Sequence, residues 1–218
     1  MSRDDAGGEW PVALRGVTES VVATLGPNGR WNVAALGLHA PARSPGSEAA
    51  AGRDAVTART WGRTRTRRNF ERGPTAAHGD RAVDGVVQFT TDPREFVAAA
   101  VTVHEVDDPV LPGAAAWVDV AVERLAGGEA GGTEWVDWAV RPLASEVRER
   151  TVPTINRGFN AVIEATVAVS RLDVPGYDEA QLLDRLAHLA SVVEAAGGPA
   201  ERSAMATLDE ETGWRDRR

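Results

Sequence analysis

The residues best suited to chemistry lie in one short stretch, residues 60–72, with the sequence TWGRTRTRRNFER. A strand ends at Trp61, and Gly62 lets the backbone come close to a ligand. Arg63, Thr64, Arg65 and Thr66 then place guanidinium and hydroxyl donors at the start of a short helix. Free backbone N–H groups at a helix N-terminus, reinforced by the helix dipole, favour an anion. Arginine adds bidentate recognition of phosphate oxygens. The chemistry indicated is capture of a terminal phosphate, with Asn69 on the first helical turn bracing Thr66 or the loop. Two other readings fit the same residues. One is an Arg-rich helix that is merely solvated. The other is a local nucleic-acid contact, for which only Trp61 and Phe70 offer stacking.

Elsewhere the chemical signals are weaker. His39, His78, His104 and His188 stand in unlike contexts with no metal-ligand spacing, so no metal is expected. His188, beside an apolar helical stripe, reads as a packing residue. Asp107 and Asp108 read as a solvated turn, Asp119 as part of a strand face, and Glu164 as a polar helix face. No Gly-x-Ser-x-Gly, P-loop or Rossmann fingerprint occurs. No catalytic residue can therefore be nominated.

The chain that must position these groups has 218 residues, of which 43% are hydrophobic, enough for one domain with an appendage or for two small ones. No run of about 18 apolar residues is present, so no transmembrane helix is expected. The leading MSRDDAGGEW lacks the basic-then-apolar pattern of a signal peptide. Cysteine is absent, which excludes disulfides, zinc–thiolate sites and cysteine nucleophiles. A cytoplasmic location is the expectation. All 24 basic residues are Arg and the formal charge is −8, which fits a GC-rich genome or a salt-loving organism. An acidic chain is a poor general binder of nucleic acid, because phosphate contacts dominate that affinity.

Val17–Leu25 is rich in β-branched residues and residues 31–38 (WNVAALGL) return from the turn GPNG, giving a hairpin. Residues 40–53 are Pro/Ala/Gly/Ser-rich and read as a loop. Further strands are expected at 54–61, 83–90, 114–125 and 133–140, with 127–132 as a glycine-rich turn. Thr66 is the expected N-cap of a helix stopped by Gly73 and Pro74. Asp92, Pro93 and Glu95 start another in a capping-box-like arrangement. Trp31, Trp61 and Trp117 fall on strands and are expected to fill a barrel, with one available to stack on a ring. After Arg141 and Pro142 the period changes from two to about 3.6. Ile155, Phe159, Val162, Ile163 and Thr166 then share a helical face. Leu182, Leu183, Leu186, Leu189, Ala190 and Val193 mark a second helix, ended by Gly197 and Gly198. The expected class is α+β: a small β-barrel over residues 12–140, a C-terminal helical domain over 143–197, and flexible tails at 1–11 and 199–218.

Five pieces in this order resemble domain of unknown function 447, an archaeal family of FMN-binding split β-barrel proteins. They are VVATLGPNGRWNVAALGL, TARTWGRTRTRRNF, VVQFTTDPREFVAAA, AAAWVDVAVE and TINRGFNAVIEATVAVSRL. Thr64, Thr66 and Asn69 match the family's Thr-x-Thr-x-x-Asn. Residues 32–37 resemble its Asn–Ala–Ala–Pro–x–Gly strand with the Ala pair offset and the Pro missing. The resemblance implies a homodimer with one FMN per protomer. It implies that Arg63, Thr64, Arg65, Thr66 and Asn69 surround the phosphate. Asn32, Ala35, Leu36 and Gly37 would lie along the isoalloxazine edge. Asn156 and Arg157 match a family Asn–Arg pair, whose Arg could reach flavin or substrate or brace a helix–barrel contact. The function implied is an FMN-dependent oxidoreductase of unknown substrate. The alternatives are a non-catalytic FMN carrier or regulatory dimer, deazaflavin (F420) in place of FMN, and a nucleic-acid-binding barrel.

Overall fold

A computed structural model describes residues 8–41, 55–74, 76–152 and 154–217. The expected loop at 40–53 lies almost wholly outside these residues, as do residues 1–7 of the expected N-terminal tail. In chain order the elements are β1 (Val17–Leu25), β2 (Trp31–His39), β3 (Val56–Trp61), α1 (Arg65–Arg72), β4 (Ala76–His78), β5 (Arg81–Val83) and β6 (Gly85–Thr90). There follow α2 (Pro93–Val101), β7 (His104–Val106), β8 (Ala114–Ala130), β9 (Thr133–Val147), α3 (Arg157–Val169), α4 (Glu179–Ala196) and α5 (Pro199–Thr212).

The strands close into a six-stranded antiparallel barrel in the order β1-β6-β8-β9-β3-β2, with β2 returning to pair with β1. Val22, Leu38, Val87, Val118, Val136 and Trp138 fill the interior, with Phe70 of α1 set edge-on to Trp138. β1 is apolar on both faces because both are covered. Val22 points into the barrel, whereas Val21 and Ala23 join Phe96 and Ala99 of α2 in a second cluster outside it. The barrel is split at one place. On the edge of β2 away from β1, Trp31, Asn32 and Val33 pair with β7, and Leu38 and His39 pair with β3. Between them, residues 34–37 have no strand partner on that edge among the described residues.

Several expectations are corrected. The glycines at 127 and 128 are not a turn: β8 continues to Ala130, and Gly131 and Gly132 make the reversal. Nor does the barrel end near residue 140. Pro142 sits opposite Val120 within β9, where a register shift beside Asp119 accommodates the missing N–H. Residues 8–11 are not a loose tail, since the Gly8 N–H bonds the Pro142 carbonyl at 3.1 Å and Trp10 packs on the barrel cluster. The N-cap of α1 is Thr64, not Thr66: its Oγ1 accepts from the Arg67 N–H at 3.3 Å, which places the helix start two residues earlier. Asp92 caps α2 as expected, but Glu95 does not complete a capping box; its Oε1 accepts from the Gly113 N–H at 3.0 Å instead. Ile155 precedes α3 and is 93% exposed. His188 is exposed rather than packed.

The largest correction is at the C-terminus. Residues 199–212 form α5, and Ala204, Met205, Leu208 and the following Trp214 enter a single core with α3, α4 and Val97 of α2. The polar sequence there reflects a helix with one narrow buried stripe. The helices approach closely where α3 begins. A Cβ on Gly158 would lie 2.4 Å from the Gly197 Cα, so only glycine fits.

Trp214 is 1% exposed. Trp214→Ala should cost about 3–5 kcal/mol in chemical denaturation, whereas a frayed tail would make it silent. Asp92→Ala should cost about 1 kcal/mol near neutral pH through loss of the cap. Hydrogen bonds from Arg94 hold the Asp92 carboxyl below its usual range. Its contribution is therefore present above the ordinary value of about 3.9 and lost as pH falls through the depressed folded value. The stability gap between variant and wild type should close over that acid interval.

Candidate functional site

The split in the barrel opens onto a cleft of about 770 Å³. Its floor is the unpaired stretch of β2, Ala34, Ala35, Leu36 and Gly37. One end is built by Thr60, Trp61, Thr64 and Thr66 at the junction of β3 and α1. The other wall is helical, with Phe96 and Ala99 from α2 and Thr166, Val167, Ser170 and Arg171 from the end of α3.

The α1 end is held in place by a chain of bonds. The Trp138 indole N–H donates to Thr60 Oγ1 at 3.0 Å and fixes the end of β3. Gly62 then turns the backbone with φ 61°, a left-handed conformation that a side chain would strain. Nothing lies within 4 Å of where its Cβ would be, so the backbone angle, not a close approach, requires the glycine. The Gly62 carbonyl accepts from Arg67 Nη1 at 3.0 Å, and Arg67 also binds Glu71 at 2.9 Å and Glu134 at 3.0 Å. Arg65 is tied to Glu105 of β7 at 2.7 Å, and Arg72 donates to the Leu25 carbonyl at 2.6 Å. These three arginines staple α1 to the barrel. The Arg63 and Arg68 side chains are exposed and make no bond to the described residues.

The result is an anion-ready corner. The first N–H groups of α1 have no intrahelical acceptor. The Thr64 hydroxyl accepts from the Arg67 N–H and keeps its own proton free to donate. Thr66 is buried, its Oγ1 3.5 Å from Asn32 Nδ2. Along the cleft, Arg59 grips Asp137 with two bonds of 2.6 and 2.8 Å, and its guanidinium lies 4.2 Å from the Trp135 ring centroid. Those bonds raise the Arg59 pKa above its usual range. At the far end, Glu19 stands over Gly37. Partial burial raises its pKa; the positive charges of His39 and Arg171 oppose that shift and the negative charge of Glu164 adds to it.

Of the residues singled out by sequence, Ala35, Leu36, Gly37, Thr64 and Thr66 line one cleft. Asn32 stands behind Thr66. Asn69 does not brace Thr66: its amide donates to Thr24 Oγ1 at 2.9 Å and so anchors α1 on β1. Arg63 is at the rim. Asn156 and Arg157 are not on the cleft. Asn156 caps α3 by accepting from the Gly158 and Phe159 N–H groups at 2.8 and 3.2 Å. Arg157 is exposed at the helix start, about 13 Å along the axis from Thr166. Trp61 is 46% exposed at the cleft rim, and the tryptophan that fills the barrel is Trp138.

Sequence reasoning missed a buried pair. Asp119 is 3% exposed, and its Oδ1 lies 2.7 Å from His78 Nδ1, with the His78 ring edge-on to Trp117. Burial raises the Asp119 pKa, and the bond to His78 works against that. The β4–β5 hairpin covers this face of β8, which is why an apparently solvated strand position is dry. A second, mostly apolar hollow of about 940 Å³ lies between Trp10, Leu14, Val122 and Val140. Among the described residues no group of three or more His, Asp or Glu could hold a metal. Among the described residues no helix is long and apolar enough to cross a membrane.

No curated protein matches this chain. Among solved structures, that of an FMN-bound DUF447 protein from Methanosarcina mazei is similar, with a TM-score of 0.58, 22% identity, and coverage of 91% of this chain and 96% of that one. Flavin reductase HpaC complexed with NADP+ matches with a TM-score of 0.36 and 9% identity over 62% of this chain and 81% of its own. The styrene monooxygenase flavin reductase from Pseudomonas putida S12 matches at 0.34 and 14% over 60% and 79%. The N-terminal domain of the family described as protein of unknown function (DUF447) matches residues 18–149, and its C-terminal domain matches residues 156–210. With both domains present in order, the chain belongs to the DUF447 family.

Proposed function

We propose that this chain is an FMN-binding flavoprotein and that its cleft holds the cofactor. The observation that carries the reading is the coincidence, on one cleft, of an unpaired strand edge and a hydroxyl-lined helix N-terminus. The edge at residues 34–37 offers backbone donors and acceptors to a flat heteroaromatic ring. The start of α1 offers N–H groups, the Thr64 and Thr66 hydroxyls and the unpaired Arg63 to a phosphate. The two ends differ in chemistry as the two ends of FMN do, and the cleft volume falls within the usual range for small-molecule sites. The FMN bound to the Methanosarcina relative supports the same reading.

In this arrangement Thr64, Thr66 and Arg63 hold the phosphate, Arg65 fixes the loop through Glu105, and Asn32 and Asn69 position α1. Ala35, Leu36 and Gly37 present backbone to the ring edge, and Phe96 and Ala99 exclude water from its face. Bound FMN would supply electron transfer, and the protein would supply binding, orientation and electrostatics. The role favoured is oxidoreductase with a substrate still to be identified. Deazaflavin is the second reading, supported by Arg63 and Arg68, exposed and without a bond to the described residues beside the α1 corner, where they could meet a longer acidic tail.

The test compares FMN with riboflavin, which lacks the phosphate. The Arg63 side chain makes no bond to the described residues, so Arg63→Ala should weaken FMN about tenfold in a fluorescence titration and leave riboflavin unchanged. A protein that takes up neither flavin, or binds both equally in wild type and variant, contradicts the assignment. The reading also makes the chain a homodimer, because residues 123–130 on the β8 side of the hairpin are exposed along both faces, with Leu125 44% open. Light scattering should give the mass of two chains, and a monomer at all concentrations would rule the dimer out.

A further inference from the structure

Resting on the flavin reading for its place beside the cofactor, we propose that the α3 end of the cleft is a subsite for the carboxylate of a small organic acid, held by Arg171. Arg171 lines the cleft at its α3 end, opposite the α1 corner. The other arginine lining the cleft, Arg59, is neutralised by Asp137, and Arg65 of α1 by Glu105. Arg171 has no carboxylate within hydrogen-bond reach among the described residues. Its guanidinium lies 5.3 Å from the Tyr177 ring centroid, a contact that orients the group and leaves its N–H donors free. It follows the last turn of α3, yet no bond from its side chain to the helix carbonyls is formed.

Few charges surround Arg171. Glu164, the nearest acid on α3, is engaged by Arg185 of α4. α2 contributes only Phe96, Ala99 and Ala100 to this wall, and Arg59 of β3 and Asp137 of β9 cancel each other. What remains is Arg171, His39 of β2 and Glu19 of β1. Glu19 lies close to the backbone of β2, its carboxylate 3.7–3.8 Å from where a Gly37 Cβ would be. It is the charge that a ligand carboxylate would have to compete with. Protonation of Glu19 makes the subsite more positive, so affinity for a carboxylate should rise as pH falls. The raised pKa of Glu19 brings this change above the usual carboxylate range.

Benzoate is the probe, titrated calorimetrically into the purified protein, with FMN uptake measured separately on the same samples. The wild type should bind benzoate, more tightly at pH 5 than at pH 8 by the argument above. Arg171→Met should weaken it by about tenfold or more while the thermal midpoint stays unchanged. Glu19→Gln should bind benzoate more tightly than wild type at neutral pH, a gain that misfolding cannot produce. Absence of benzoate binding, or equal binding in wild type and Arg171→Met, overturns the subsite. Arg171-dependent benzoate binding in a protein that takes up no flavin would keep the subsite and remove the flavin reading instead.

Discussion

The structure turns on an interrupted ladder. Closing a sheet into a barrel normally satisfies every backbone group along each strand edge, and unpaired polar backbone in a water-poor place is costly. Here β2 pairs with β7 at one end and β3 at the other, and residues 34–37 between them are left for another partner. Strands β7 and β3 bound this gap, α2 roofs it, and α1 stands at its end. A ring that can both donate and accept at its edge would complete the ladder, so fold closure and ligand binding become one physical problem.

The rest of the molecule keeps that gap open and oriented. The Phe70–Trp138 contact and the Asn69–Thr24 bond seat α1 on the barrel. The ion pairs of Arg65 and Arg67 cross from α1 to β7 and β9. Each exposed pair contributes little alone, but together they bridge three elements and leave Arg63 uncommitted. On the other side α2 is shared property. Its Phe96 and Ala99 face the barrel, while Val97 enters the helical core with Leu186, Leu208 and Trp214. The C-terminal helices therefore do not merely follow the barrel; they hold the cleft's second wall.

Much of this was legible in the sequence, and the losses have physical causes. The β1–β2 hairpin and the α2 cap were plain because local turn and capping chemistry specifies them. Thr64 and Thr66, which stand on the cleft, drew notice because hydroxyls and arginines after a strand are a local signal. Asn69 and Asn156 were misassigned because the same amide that can brace a ligand can anchor a strand or cap a helix, and only tertiary contacts decide. Asp119 read only as part of a strand face because the β4–β5 hairpin that buries it is two strands of three residues each, too short for a periodic signature. The helix α5 was hidden by its polar composition, since a single buried stripe of Ala204, Met205 and Leu208 is weak evidence until the partners are known. Arg171 gave no signal at all: what sets it apart is its place on the cleft with no carboxylate partner among the described residues, which is a property of space and not of sequence.

The most direct test of the account is amide hydrogen exchange across β2, with and without FMN. Exchange at residues 34–37 should slow on adding FMN, while the already paired amides of β1 opposite should change little. Tight FMN binding with no new protection at residues 34–37 would contradict the central claim, because the ring would then lie elsewhere and the gap in the barrel would need another explanation.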